Sequence, residues 1–171
     1  MAAVAMGLRG RAAAATIGLG VLAGLLSTAG CSPFLGYGCT DRDEEFAATL
    51  DELDILNVRP PGATLRDSYS GCDDDDGFAV AGRTYRPEGT PEEVVAFYRR
   101  VAPDDGWTLK SASDSPVPED GLVISGVRLC FTKAIDGTTG YLTVSFLSDF
   151  GEKSRDFHLE VTGAHDGDAW C

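Results

Sequence analysis

Two stretches of the chain place apolar residues at helical spacing. In the first, Thr40-Asp41-Arg42-Asp43-Glu44 supplies a cap and an acidic first turn, and Phe46, Leu50, Leu53 and Leu56 follow before Pro60-Pro61-Gly62 stops the run. In the second, Thr90-Pro91-Glu92-Glu93 reads as N-cap, N1 proline and capping box. The stripe Val94, Phe97, Tyr98 and Val101 comes next, and Pro103 and Gly106 close the helix. Elsewhere the pattern has a period of two. Thr64 to Ser70 and Phe78 to Tyr85 read as strands about an Asp73-Asp74-Asp75-Asp76-Gly77 turn, with Phe78, Val80, Gly82 and Thr84 on one face of the second. Trp107-Thr108-Leu109 opens an extended segment. Val123, Val127, Leu129 and Phe131 alternate, as do Leu142, Val144 and Phe146 beyond the Asp136-Gly137 hairpin signal, then Phe157, Leu159 and Val161. The order predicts an α+β fold: a single domain with an antiparallel β-sheet of about five to six strands and two helices on one face. The polar alternates Thr143, Ser145, His158, Glu160 and Thr162 predict that the other face is at least partly wet.

The 171 residues suffice for one domain, and the formal charge of −13 argues against nucleic acid, whose phosphates require Lys and Arg. The charge is placed unevenly. Arg9 and Arg11 stand before an apolar run from Ala12 to Leu26, no acid occurs before Asp41, and the small residues Ser27, Thr28, Ala29 and Gly30 lead to Cys31. This is the layout of an export signal.

The Cys31 that follows Ala29-Gly30 resembles the lipobox of bacterial lipoproteins, with Thr28 where Leu is usual. That resemblance implies cleavage after residue 30 and a diacylglyceryl group on Cys31. Residues 31–39 would form the lipidated start and a short tether, and 40–171 the extracytoplasmic domain with its C-terminal tail. Two acyl chains at one residue hold a protein stably to a membrane. A plain secretory signal and an uncleaved anchor are the competing readings, though the glycines at 18, 20 and 24 leave the run short for a span.

Four cysteines remain: Cys39, Cys72, Cys130 and Cys171. An even number in an exported domain reads as two disulfides, with three connectivities, of which Cys39–Cys72 with Cys130–Cys171 is favoured as joining sequence neighbours. The spacings fit neither a CxxC redox motif nor a zinc site.

Catalytic patterns are missing from the sequence: no GxSxG, SxxK, HExxH or Gly-rich phosphate loop occurs. The two histidines, His158 in a strand and His165 in the tail, read as surface residues. The acidic run Asp73–Asp76 reads as a solubilising tip rather than a metal site, since with Gly77 at loop position six an EF-hand pattern would need acids where Cys72 and Arg83 stand. No catalytic residue, metal ligand or cofactor is therefore assigned.

The stretch from Pro60 to Trp107 carries a second resemblance. Pro61-Gly62-Ala63, Thr90-Pro91-Glu92-Glu93-Val94-Val95-Ala96-Phe97-Tyr98 and Gly106-Trp107 resemble a pattern recurring in small actinobacterial lipoproteins. It implies a fold and an envelope setting but no activity. The expected function is a lipid-anchored, non-enzymatic module that binds an envelope protein, one with a basic surface suiting the acidic domain. The Ser111–Gly121 loop and the acidic tips are the expected contact surfaces. A small-ligand or Ca²⁺-binding lipoprotein is the alternative, and a hydrolase ranks last.

Overall fold

The computed structural model describes residues 38–113, 126–146, 155–165 and 169–171. The signal segment, Cys31 and most of the tether lie outside the described residues, as do Val123 and the 114–121 part of the expected contact loop. The described residues form a single α+β domain. Helix α1 (Asp41–Asp51) and a 3₁₀ turn (Asp54–Asn57) precede strands β1 (Thr64–Asp73) and β2 (Phe78–Arg86). Helix α2 (Pro91–Asp104) follows, then β3 (Thr108–Ala112), β4 (Val127–Ile135), β5 (Thr138–Ser145) and β6 (Phe157–Gly163). The strands make one antiparallel sheet in the order β1-β2-β6-β5-β4-β3. The last strand thus inserts at the centre, between the two hairpins β1–β2 and β4–β5.

Both helices pack on one face of that sheet. The register aligns Ala81 with Val161, Val161 with Leu142, and Leu142 with Phe131, so these residues form one inner row. Phe46, Ala47 and Leu50 of α1 and Val94, Tyr98 and Ala102 of α2 are buried in the same cluster. Its centre is aromatic: the Phe157 ring contacts Tyr85 at 5.5 Å, Tyr98 at 5.8 Å and Phe146 at 6.2 Å between centroids. The stripe expected on α2 is shifted. Tyr98 is fully buried and Phe97 only half-buried, because Ala102 rather than Val101 continues the inward line from Val94 and Tyr98.

The helix ends are capped by neighbouring residues, and the cations at their C-termini come from the sheet. Thr40 and Asp43 form a capping box on α1, Thr90 and Glu93 one on α2. Thr40 bonding holds the Asp43 carboxyl below its usual range. Pro103 lies inside the last turn of α2, and the helix ends in a Schellman motif at Gly106, which has φ of +83°. There Trp107 N–H donates to Ala102 O at 3.1 Å and Gly106 N–H to Pro103 O at 3.0 Å. Neither helix has a basic residue in its last turn. The sheet supplies one to each. Arg83 of β2 donates to the carboxylate (2.7 Å) and the carbonyl (3.3 Å) of Asp51 at the end of α1. Lys133 of β4 donates to the Asp105 carbonyl (2.7 Å) at the end of α2. Both place a cation against the negative end of a helix dipole.

The outer face departs from expectation. Phe78, Val80, Gly82 and Thr84 do share it, but Thr143, Ser145 and Thr162, expected to be wet, are buried. Thr143 pairs with Cys130, and Cys130 is bonded to Cys171, so the end of the chain returns across this face. The second disulfide joins Cys39 to Cys72 on the inner side, tying the start of α1 to β1. Disulfides persist in oxidising compartments, which places the domain on the extracytoplasmic side. No helix among the described residues is long and apolar enough to cross a membrane.

Candidate functional site

The β1–β2 hairpin has two chemically distinct ends. At its tip, Asp73 to Asp76 form the turn expected, closed by Gly77 N–H on Asp73 O at 2.7 Å with Gly77 at φ +67°. Two of the carboxylates are turned onto the chain itself: Asp73 accepts from Asp75 N–H (2.9 Å) and Asp74 from Cys39 N–H (3.2 Å). Among the described residues no group of three or more His, Cys, Asp or Glu side chains converges.

At the other end lies a groove of about 410 Å³, lined by Pro60, Pro61, Pro87, Gly89, Glu93, Val94, Ala96, Phe97 and Arg100. Its geometry is set by turns and caps that are local in sequence. Pro60 to Ala63 is a type II turn, with Pro61 at the second position, Gly62 at φ +77° in the third, and Ala63 N–H on Pro60 O at 3.1 Å. A side chain at Gly62 would also overlap Glu88. On the helix side, Glu93 accepts from Thr90 N–H at 2.8 Å, so its carboxylate is engaged in the cap. Two buried phenols fasten the turn to the domain: Tyr98 O–H donates to Val58 O (2.8 Å) and Tyr85 O–H to Leu56 O (2.6 Å). Burial pushes the Tyr98 phenol well above its usual range, so it remains a donor. Val94 is the buried floor, Phe97 the half-buried wall, and the Arg100 guanidinium lies 5.7 Å from the Phe97 ring centre.

This groove brings together Pro61 and the Glu93–Phe97 run, two parts of the Pro60–Trp107 pattern that begin 32 positions apart in the sequence. Pro87 and Arg100 were not singled out by the sequence. A signal existed for both: Pro87 directly follows the second strand as Pro60-Pro61 precedes the first, and Arg100 is one helical turn beyond Phe97.

The remaining candidates fall elsewhere. His158 lies on the outer face with its Nδ1 3.0 Å from Thr84 Oγ1. His165 packs its ring 4.6 Å from Phe46. The two are therefore on opposite faces of the sheet and form no pair. Glu160, on the outer face, accepts a 2.5 Å hydrogen bond from Tyr69 O–H, and burial beside that carboxylate raises the Tyr69 phenol strongly. Tyr69 reaches Glu160 by lying across Gly82, where any side chain would overlap its ring. Arg86 and Asp156 pair at the edge of the same face. Of the Ser111–Gly121 segment, Ser111 and Ala112 belong to β3, and Ser113 N–H bonds Arg128 O at 2.9 Å.

What the described residues define is an extracytoplasmic α+β domain with two disulfides and a proline-walled groove. Compared with known protein families, characterised proteins and solved structures, the chain matches none.

Proposed function

We propose that this chain is a lipid-anchored protein of the extracytoplasmic envelope that acts by binding another envelope protein, not by catalysis. The observation that carries the binding reading is the groove at Phe97: it mixes apolar and polar lining, is formed between a capped helix and a proline turn, and is open to solvent along one side. Preorganised surfaces of this kind bind without first ordering themselves. The anchoring half of the reading rests on Arg9, Arg11, the apolar run and Cys31.

The groove lies at the end of the β1–β2 hairpin opposite the acidic tip. The described chain begins at Gly38 beside the Cys39–Cys72 bridge, near the acidic tip. From Cys72 back to Thr64 the strand covers roughly 25 Å, at about 3.3 Å per residue.

Two experiments test the two halves. A labelled fatty acid should mark the wild-type protein in its host and leave Cys31→Ala unmarked; equal labelling would end the anchoring proposal. A photoreactive residue at Ala96, on the groove wall, should crosslink one dominant envelope protein in intact cells. The same group at Ala48, on the exposed side of α1, should not. Adducts from Ala48 alone would place the interaction elsewhere.

A further inference from the structure

We infer that the free edge of β1 pairs with β1 of a second copy of this chain, antiparallel about a two-fold axis at Tyr69, so that the two sheets continue as one. The inference is independent of the groove and of the anchor.

The sheet ends in β1 on one side and β3 on the other, and the two edges are guarded differently. Strand β3 is five residues long, is broken by a bulge at Lys110, and carries that lysine, whose Nζ lies over the Tyr141 ring. Short length, a bulge and a lysine are the devices that keep an edge from pairing. Strand β1 is ten residues long, and every residue from Thr64 to Ser70 is exposed. Its bulge lies at Arg66, near the start. From Ser68 to Cys72 it keeps an unbroken register with β2 and contains no charge and no proline. Ser68 N–H donates to the Asp67 carboxylate at 2.9 Å, so it faces away from β2. Backbone groups alternate in direction along a strand, which puts the N–H groups of Ser70 and Cys72 on the same free side.

Shape and charge both select β1 itself as the occupant. The side chains beside this edge are small: Ser68 and Ser70 share the inner face by their register with Arg83 and Ala81. On the outer face Gly71 has open space where a Cβ would stand, and the Tyr69 ring is drawn away from the edge, across Gly82 to Glu160. A second strand can therefore approach to the usual spacing of about 4.8 Å. Centred on Tyr69, antiparallel self-pairing sets Ser68 opposite Ser70 and Asp67 opposite Gly71, with no like charges facing. Ser70 O of the other copy then takes the place of the Asp67 carboxylate at Ser68 N–H, and that carboxylate turns into the space over Gly71. Centred on Ser70, the pairing would set Asp67 opposite Asp73 twice, which is destabilising. The antiparallel sense also separates the two Asp73–Asp76 tips. Each tip lies beside Arg66 of the other copy, and Arg66 is the one cation in β1. Two chains of formal charge −13 repel as wholes, so an arrangement that sets the most acidic run of each against a cation is the one favoured. A foreign strand would find the same backbone groups without this symmetric match.

The test uses the full-length protein in density-matched detergent at ~0.15 M salt, where charges are screened beyond about 8 Å. Sedimentation equilibrium should show monomer and dimer with a Kd below about 100 μM. Ser70→Pro removes an outward N–H at an edge position where proline is tolerated, and should weaken the dimer at least about tenfold. Ser70→Lys, which places a charge on the edge and leaves the backbone intact, should do the same; a urea midpoint near the parent's shows that a variant is folded. Arg66→Glu, set against the acidic tip of the other copy, should weaken the dimer at least about fivefold. Cysteines read the register. Asp67→Cys protein mixed with Gly71→Cys protein should form a disulfide-linked dimer under mild oxidation, because opposite residues of a non-hydrogen-bonded pair lie about 4.5 Å apart at Cα. Leu109→Cys, on the β3 edge, should form none. A monomer at every concentration up to about 0.5 mM, or a dimer indifferent to Arg66→Glu and to both Ser70 variants, would overturn the inference. So would linkage through Leu109→Cys in preference to the 67–71 pair. In host cells, Gly71→Cys joined only to a different protein would assign the edge to a foreign strand and overturn it too.

Discussion

The inner face of the sheet is covered by rings and aliphatic chains from two helices; the outer face is covered by hydrogen bonds, a tyrosine laid across a glycine, and a disulfide. On the inner side, Phe157, Tyr85, Tyr98, Leu159 and Leu142 are fully buried. On the outer side the buried residues are small and polar, Thr143, Ser145 and Thr162, and the Thr162 hydroxyl has no partner among the described residues. Apolar burial stabilises roughly in proportion to area and tolerates imperfect direction. Buried hydroxyls contribute little unless each is matched, so the outer face depends on covalent and geometric devices to stay closed. The lesson is that one sheet can carry a core that defines its stability and a second surface held shut by a few specific links.

The largest effect expected from breaking this contrast is on the inner face. Phe157→Ala removes the ring at the centre of the aromatic cluster and should cost about 3–5 kcal/mol. Phe97→Ala, on a half-buried ring, should cost about half as much, since the transfer contribution follows buried area. Urea denaturation with the disulfides intact measures both. Equal losses would mean that Phe97 is as central as the helical stripe alone suggested.

Next come the disulfides, one on each face. Removing Cys130–Cys171 or Cys39–Cys72 by paired alanine substitution should cost about 2–4 kcal/mol each. Their sequence separations, 41 and 33, differ so little that loop closure alone separates them by about 0.2 kcal/mol. A difference above about 1 kcal/mol would therefore report what each bridge does in the folded state. The Cys130–Cys171 variant should also alter the fluorescence of Trp170, whose ring sits edge-on to Phe78 at 6.3 Å.

A smaller loss, about 1–2 kcal/mol, is expected for Tyr69→Phe, which leaves the Glu160 carboxylate without its phenol donor. Gly82→Ala should have a similar effect by displacing the same ring. If Tyr69→Phe is silent, solvent replaces the phenol freely and this corner of the outer face is wet.

The smallest effect is a pH dependence. Hydrogen bonding by Arg86 holds the Asp156 carboxyl below its usual range. The unfolded chain then binds its proton first, so this contribution is complete above a pH of about 3.9 and is lost as the pH falls through the lower folded value. Asp156→Asn should flatten the acid limb of the stability curve and leave neutral pH nearly unchanged, as for a partly exposed pair. An unaltered acid limb would assign it to other carboxylates such as Asp43.

Much of this was legible in the chain. Thr40, Thr90 and the acids three residues on set both helix starts, because a capping box involves only neighbours. Asp136-Gly137 set the hairpin between β4 and β5, where both residues have positive φ, 47° and 81°. The alternation of Leu142, Val144, Phe157, Leu159 and Val161 set the inner face, since side-chain direction in a strand has a strict period of two. The groove was legible only in pieces. Its proline and helix residues were quoted as one pattern, but nothing local said that Pro61 and Phe97 share a wall.

What the sequence determined by itself, then, was every feature whose cause lies within about one turn of helix or one hairpin: caps, the Schellman glycine, strand faces and turns. Only the tertiary structure decided the rest. It put Arg83 and Lys133 at helix ends that lack cations of their own, turned Tyr98 rather than Phe97 inward, and drew Cys171 back over Thr143. The physical reason is that these outcomes depend on which strands become neighbours. The central position of β6, the last strand in the chain, is fixed by the joint burial of both hairpins and not by any residue near it.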